Sequence, residues 1–576
     1  MTARVARALE YGVVALAAIA FAASYGLTYG YDNQFVYFLK SLALTDRSLL
    51  RSDWFTFHTT QYHRVFIYFG AFLLKLNAQG WAVGIAQFLL VLLGGLVIYR
   101  LVKRVAGAQL GLASYLILLA MLFITRTSSV GASYLFDTIL QPSTLGALGS
   151  IAGTMFFVEQ RYFESGLCLA AGGAFHANYL VLAYPIFGLA HLALGFKDLK
   201  RRVLLQFSPL LVITLILSPV LLAASHTKAS AEAQEILFRM RSPHHYNPAR
   251  FERNFMPFAA WQLLGIGSGW LLHKTDNGRR LGAVLCGLML TIWTGTILTT
   301  FYDVPKVNQI FVWRFAPNAD LLSQIFLACA VAHALAKPSI TKHYPGVALG
   351  LIAGGLGTFA LFWRTKEGAQ IPMLMTWILA SILIARAVDL ALDLFCHFQP
   401  KFTEFIARRK RALVWLPLGF GVITLYHIVP ERLERARERS TLLNPDKGRT
   451  EDLYRWLREK SPKDAIYLTP PDLEGLRFMG QRAIVVDWKA VPLIPTELLT
   501  WYERLCDVTG REVKGSGDMG GYNAIDPERL ALLVSKYHPD YMVLRRGAES
   551  RFEGLPVVYR NSAYSVLKIA PNPAPP

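Results

Sequence analysis

Charge is scarce in this chain of 576 residues, and acid is scarcer than base: 17% of positions are charged, with 39 Asp and Glu against 59 Lys and Arg. So little charge beside 53% hydrophobic residues excludes a single water-soluble globule, because the apolar surface exceeds what one aqueous core buries. Cysteine is scarce too. Of Cys168, Cys286, Cys329, Cys396 and Cys506, only the last follows residue 430, so no disulfide forms within that part, and no spacing matches a metal motif. The glycine-rich GSGDMGGYN at 515–523 lacks the Gly-Lys-Ser/Thr of a phosphate loop and has no strand leading directly into it. No inverted repeat of the transporter kind is visible. The first apolar run is too long for a removed signal peptide and lacks its small-residue cleavage site.

What is present is a series of apolar runs of about 17 to 25 residues, each long enough to cross a hydrocarbon layer as a helix. They predict a polytopic α-helical membrane protein of about thirteen spans. The runs lie near 11–29, 79–99, 108–125, 141–158, 166–195 as a hairpin or re-entrant pair, 203–223, 256–272, 281–300, 310–335, 344–363, 371–396 and 412–428. Basic residues favour the cytoplasmic side. Arg4 and Arg7 therefore set the N-terminus inside, and Arg100, Lys103 and Arg104, then Lys197 to Arg202, then Arg279 and Arg280 recur at alternate loops. A pI near 9.7 is thus a topology signal. Nucleic-acid binding would need those bases gathered on one soluble face, and they are dispersed.

Residues 1–430 are expected to form the transmembrane domain, with an outer loop at 30–64, an interfacial helix at 61–77 and a second outer loop at 224–255. From 431 the composition turns charged and Pro-punctuated, which predicts a C-terminal soluble α/β domain over 431–576, outside the membrane. TEDLYRWLREK reads as a helix capped by Thr450, AIYLTPP, RAIVVDW and DYMVLRR as strands, DPERLALLVSKY as a helix capped by Asp526, and PVVYRNSAYSVLKI as a closing hairpin.

The polar residues concentrate in the outer loops. Asp32, Asp53, His58 and His63 lie in the first, where an aspartate also reads as a helix cap and a histidine as an anion ligand, a metal ligand or an interfacial residue. Asp137 lies near the outer end of the fourth span. Arg239, Arg241, His244 and His245 form a basic, rigid stretch whose guanidinium forks suit phosphate oxygens or whose charge draws it to anionic headgroups. Arg314, beside Trp313, reads as one turn inside a span starting near Gln309, meeting a phosphate or snorkelling outward.

YDNQFVY at 31–37, RSDW at 51–54 and the stretch 62–107 beginning YHRVFIYFGAFLLKLN resemble the opening of the integral-membrane GT-C glycosyltransferases. These include bacterial aminoarabinose transferases acting on lipid A and the oligosaccharyltransferase catalytic subunits. The match is to an acid after helix one, a GDW-like turn, and a KPPL-type interfacial helix followed by helix two. The chain departs at Asn33, where many such enzymes carry a second acid, and at Tyr62, His63 and Arg64, which replace Lys-Pro-Pro. The resemblance implies a GT-C-like fold and transfer of a sugar from a polyprenyl-phosphate donor to a lipid or glycan acceptor at the outer face of the bacterial inner membrane. It implies Asp32 as the catalytic acid-base residue, Asp53 as a second candidate, and His58, His63, Asp137, Arg239, Arg241, His244, His245 and Arg314 as substrate-binding residues. A divalent metal ion is left open. The alternatives are a non-catalytic lipid- or glycan-binding scaffold of the same fold and a membrane transporter.

Overall fold

The structure is a computed structural model, described here for residues 3–77, 79–125, 128–226, 230–302, 304–336, 415–445 and 448–569. The spans expected at 344–363 and 371–396 lie outside the described residues. The protein is a helical, multi-pass membrane protein. Among the described residues, five stretches are long and apolar enough to cross a membrane: Arg4–Ala23, Trp81–Ala106, Leu199–Pro219, Asp276–Tyr302 and Val307–His333. Gly111–Phe123, Pro142–Val158 and Ala177–Ala193 are apolar but shorter.

Several boundaries move for local reasons. The first helix is Ala3–Ala23, six residues short of the expected end. Gly26 and Gly30 take positive φ, and the Leu27–Tyr29 backbone is bonded to Ser440, Thr441 and Leu442 instead of to its own helix. The pair expected over 166–195 is two helices, Tyr162–Phe175 and Ala177–Ala193, meeting at His176. Helix Trp81–Ala106 runs on through Arg100, Lys103 and Arg104. Helix Trp415–Arg439 continues through Pro430, so the composition change at 431 falls within a helix.

The span expected at 310–335 overlaps the apolar stretch Val307–His333, but its continuous helix begins later. A single turn, Pro305–Ile310, is followed by Phe311 in the left-handed region (φ +52°), a 3-10 turn Val312–Phe315, and then helix Ala316–Ala336. Arg314 therefore precedes the helix. Two short strands, β1 (Ser128–Ser129) and β2 (Ser133–Tyr134), pair beside this turn. The helix expected to lie along the interface is Arg64–Leu76. Phe66, Leu73 and Leu74 are buried, while Tyr68, Phe72 and Leu76 are exposed, so the helix packs one apolar face and leaves another open.

After the long Trp415–Arg439 helix comes an α/β unit. Its strands are β3 (Ile466–Leu468), β4 (Ala483–Ile484), β5 (Tyr541–Arg545), β6 (Val557–Arg560) and β7 (Tyr564–Lys568), in the order β4-β3-β5-β7-β6. β4, β3 and β5 are parallel, and β7 and β6 return antiparallel. Along β5 the side chains alternate between two cores. Val543 packs with Leu453, Leu457 and Val566, while Met542 and Leu544 pack with Trp501, Leu505 and Leu567. Period-two alternation with helices on both faces makes three layers. Asp526 caps helix Pro527–Tyr537 through Arg529 N at 2.8 Å. Thr450 does not cap, because helix Arg449–Lys460 begins one residue before it, on Gly448. RAIVVDW keeps only Ala483–Ile484 in the sheet. Asp487 turns away to an arginine, and Trp488 N donates to Pro471 O at 2.9 Å.

Candidate functional site

The 30–64 loop, the 128–141 loop, the Val312–Phe315 turn and the loops that follow β3 and β4 converge at one end of the bundle. Asp32 sits at φ +50°, a left-handed conformation that aspartate tolerates better than most residues. It is not a helix cap. The N-cap of Gln34–Tyr37 is Asn33, with no side-chain cap bond, and the Asp32 carboxylate instead pairs with Lys489 Nζ. Asn33 Nδ2 donates to Gln141 Oε1 at 3.3 Å, and Gln141 Nε2 donates to Asp137 Oδ2 at 2.9 Å. Asp137 Oδ1 also accepts from Thr138 N at 2.7 Å. Burial, aided by the charge of Asp32, pushes the Asp137 carboxyl up to about 6 against these hydrogen bonds. Asp32, Asp137 and Arg314 all act electrostatically on the Tyr37 hydroxyl.

Arg314 is the cation of this cluster. Among the described residues it has no carboxylate partner, its Nε is buried without a hydrogen bond, and its guanidinium lies 4.5 Å from the centroid of the Phe311 ring. Tyr37, His63, His176, Tyr179, His245 and Tyr246 all feel its charge. His63 donates Nδ1–H to Phe175 O (3.1 Å), since a carbonyl only accepts. Burial holds its imidazole down at about 4. His245 donates Nδ1–H to Gly131 O at 2.7 Å, and burial with His244 and Arg314 beside it holds it at about 3. Both rings are neutral at pH 7, so Arg314 is ringed by aromatic and neutral groups.

Other expected residues have different surroundings. Asp53 is wholly buried. Its Oδ1 accepts from Thr56 N and Oγ1 at 2.8 and 2.7 Å, capping helix Trp54–His58, and its Oδ2 accepts from Arg477 Nε at 2.9 Å. Arg477 Nη1 reaches Asp487 Oδ2 at 2.9 Å, and Asp487 Oδ1 accepts from Ala490 N at 2.7 Å. With its acceptors engaged and no solvent access, Asp53 is an anchor between the first loop and the α/β unit, not a base. His58 is exposed at the end of its helix. Arg239 is exposed and pairs with Glu235 at 3.3 Å. Arg241 donates to Trp488 O at 3.0 Å and stacks on the Trp488 ring, so its fork is engaged by protein. His244 lies against His245, with ring centroids 4.1 Å apart, and burial with Arg241 and Lys489 nearby lowers its pKa. Neutral His244 and His245 shape the rim and add no charge to hold a phosphate.

The residues missed by sequence reasoning are Tyr37, Glu474, Arg477, Asp487 and Lys489. Tyr37 ends the YDNQFVY stretch and helix Gln34–Tyr37, whereas Glu474, Arg477, Asp487 and Lys489 belong to the α/β unit and reach the first loop only through tertiary contact. Among the described residues, no group of three or more His, Cys, Asp or Glu side chains is placed to hold a metal ion. The divalent ion left open by the sequence has no ligand set there, and no step below runs through one.

Fold and site together define a multi-pass helical membrane protein whose polar centre is closed by an α/β unit. A domain of unknown function, DUF6798, matches residues 448–508, the span from helix Arg449–Lys460 into helix Pro495–Thr509. No curated protein matches the sequence. Among solved structures, the chain is similar to ArnT from Cupriavidus metallidurans bound to undecaprenyl phosphate, at 15% identity over 99% of each chain with a TM-score of 0.47. It is similar to the oligosaccharyltransferase of Archaeoglobus fulgidus in the apo form, at 10% identity over 93% of this chain and 69% of that one, TM-score 0.48. It is also similar to AglB from the same organism in complex with an inhibitory peptide and a dolichol-phosphate, at 9% identity with the same coverage and a TM-score of 0.47. At these scores the likeness carries no assignment, and the functional reading rests on the chain's own residues.

Proposed function

We propose that this protein is a membrane glycosyltransferase of the GT-C kind, with the thirteen-span architecture and outer α/β domain read from the sequence. It transfers a sugar from a polyprenyl-phosphate donor to a lipid or glycan acceptor at the outer face of the inner membrane. The observation that supports this is Arg314, a cation without a carboxylate partner among the described residues, whose charge acts on the same Tyr37 side chain as those of Asp32 and Asp137. An intramembrane or headgroup-level cation left unpaired is costly, and an anionic phosphate at the headgroup plane supplies its missing partner.

In this reading Asp32 accepts the proton of the acceptor hydroxyl as that oxygen bonds to the anomeric carbon. The bond from that carbon to the phosphate oxygen breaks, and the electron pair leaves with the phosphate. Arg314 stabilises the charge that develops on the leaving oxygen. Attack from the face opposite the phosphate inverts the anomeric centre with no glycosyl-enzyme intermediate. Asp137, bonded through Gln141 to Asn33, fixes the loop that carries Asp32.

The test is turnover of labelled polyprenyl-phosphate sugars by purified protein with membrane extract as acceptor source. Asp32→Asn is expected to lose turnover by about 100-fold or more while still binding donor, and Arg314→Ala to lose donor binding. The Lys489 contact on Asp32 favours one rival, a scaffold that binds without reacting. That rival requires donor binding by the wild type with no turnover of any sugar in the panel.

A further inference from the structure

Lys489 occupies the carboxylate that the proposed reaction needs free. It is delivered there by rigid parts. The buried Asp53–Arg477–Asp487 triad fixes the turn in which Asp487 caps Ala490 N, and Arg241 holds the carbonyls of Trp488 and Lys489 at 3.0 and 3.4 Å. The Lys489 side chain is 17% exposed and that of Asp32 43%, so the contact is at the mouth of the site, where an ion pair exchanges readily.

A second carboxylate stands beside it. Glu474 is half-buried, and among the described residues its carboxylate makes no side-chain hydrogen bond or ion pair. The largest charge acting on it is that of Lys489, followed by Asp487, Arg241 and Asp32. Its loop is held against the Lys489 loop by the bond from Trp488 N to Pro471 O. It is also held against the Asp32 loop, where Phe35 lies over Gly475 and Met479 over Gly30. A half-buried carboxylate left unpaired beside an ammonium that sits on another carboxylate is the second seat of a two-position group.

We propose that Lys489 and Glu474 are positioning residues for Asp32: the Lys489 ammonium moves between Asp32 and Glu474, and Asp32 is free to act only when the ammonium is on Glu474. The inference rests on reading Asp32 as the base, but its first test needs no turnover. Purified full-length protein is acetylated with sulfosuccinimidyl acetate, and modification of Lys489 is followed by peptide mass spectrometry. Lys463, which pairs with Asp46 at 3.0 Å elsewhere on the unit, is the internal control for folding.

With two seats, Asp32→Asn and Glu474→Gln each leave Lys489 near its wild-type rate, and the double variant raises it about fivefold, the factor expected for losing a partly exposed ion pair. A full rise in Asp32→Asn alone, or none in the double variant, overturns the proposal. If Asp32→Asn alters Lys463 labelling, Asp32→Ser replaces it in the same comparison. Where turnover is measurable, Glu474→Gln lowers kcat with donor KM unchanged, and adding Lys489→Met to it restores kcat. Failure of that restoration with turnover present overturns the positioning role. Absence of turnover in every variant, with the labelling pattern intact, overturns the glycosyltransferase reading and leaves the two-seat lysine standing.

Discussion

Asp137 shows how a residue's chemistry here is set by what surrounds it. Its folded-state carboxyl is pushed up to about 6 from an ordinary value near 3.8, by burial first and then by Asp32, with Thr138 and Gln141 opposing. A raised value means that the folded state holds the proton more tightly, so this group's contribution is fully present below about 3.8 and is lost as pH rises through about 6. Asp137→Asn is therefore expected to gain about 2 to 3 kcal/mol relative to wild type between pH 4 and pH 7, read as a growing difference in thermal midpoint across that range. Asn33 is explained by the same chain of bonds, because its amide donates to Gln141 and a carboxylate there has no proton to give. Asn33→Asp is expected to cost about 1 kcal/mol in thermal unfolding. The aspartates in the outer loops were visible in the sequence as candidates. Which one is exposed and which one buried was not, since RSDW and YDNQ have similar local chemistry and differ in whether Arg477 arrives from 424 residues away.

Among the elements, the turn Phe311–Phe315 matters most to the site. Apolar length marks a span there, but no local signal marks the left-handed Phe311 that delays its start and places Arg314 before the helix. Phe311 holds this conformation, a costly one for a side chain without a short polar group, because its ring is packed by His245, Tyr246 and Trp313. Gly131 closes the same corner. It has φ +67°, and a Cβ there would stand 3.0 Å from Trp313 Cβ and 3.1 Å from the Phe311 ring. Gly131→Ala is expected to destabilise by about 1 to 3 kcal/mol and to weaken donor binding through displacement of Arg314, while Gly107→Ala, also at positive φ but with open space around it, leaves donor binding unchanged. Donor binding and thermal unfolding of the two variants check this.

Over the whole molecule, the α/β unit is joined to the 30–64 loop by polar contacts. Beyond the buried triad, Glu497 accepts from Thr60 N and Oγ1 at 3.0 and 2.7 Å, and Arg504 stacks on Trp54 at 4.6 Å. Arg477→Met leaves Asp53 and Asp487 buried without their shared cation and is expected to cost about 3 to 5 kcal/mol, measured by thermal unfolding. By itself the sequence determined that the chain crosses a membrane several times and that an alternating α/β pattern follows the apolar runs. Those are properties of local composition and period, set by the thickness of a hydrocarbon layer and the two-residue repeat of a strand. Only the tertiary structure decided that Asp53 is an anchor and that Lys489 and Glu474 stand beside Asp32. Charge pairing depends on burial and on neighbours hundreds of residues away, and neither is written in the local pattern.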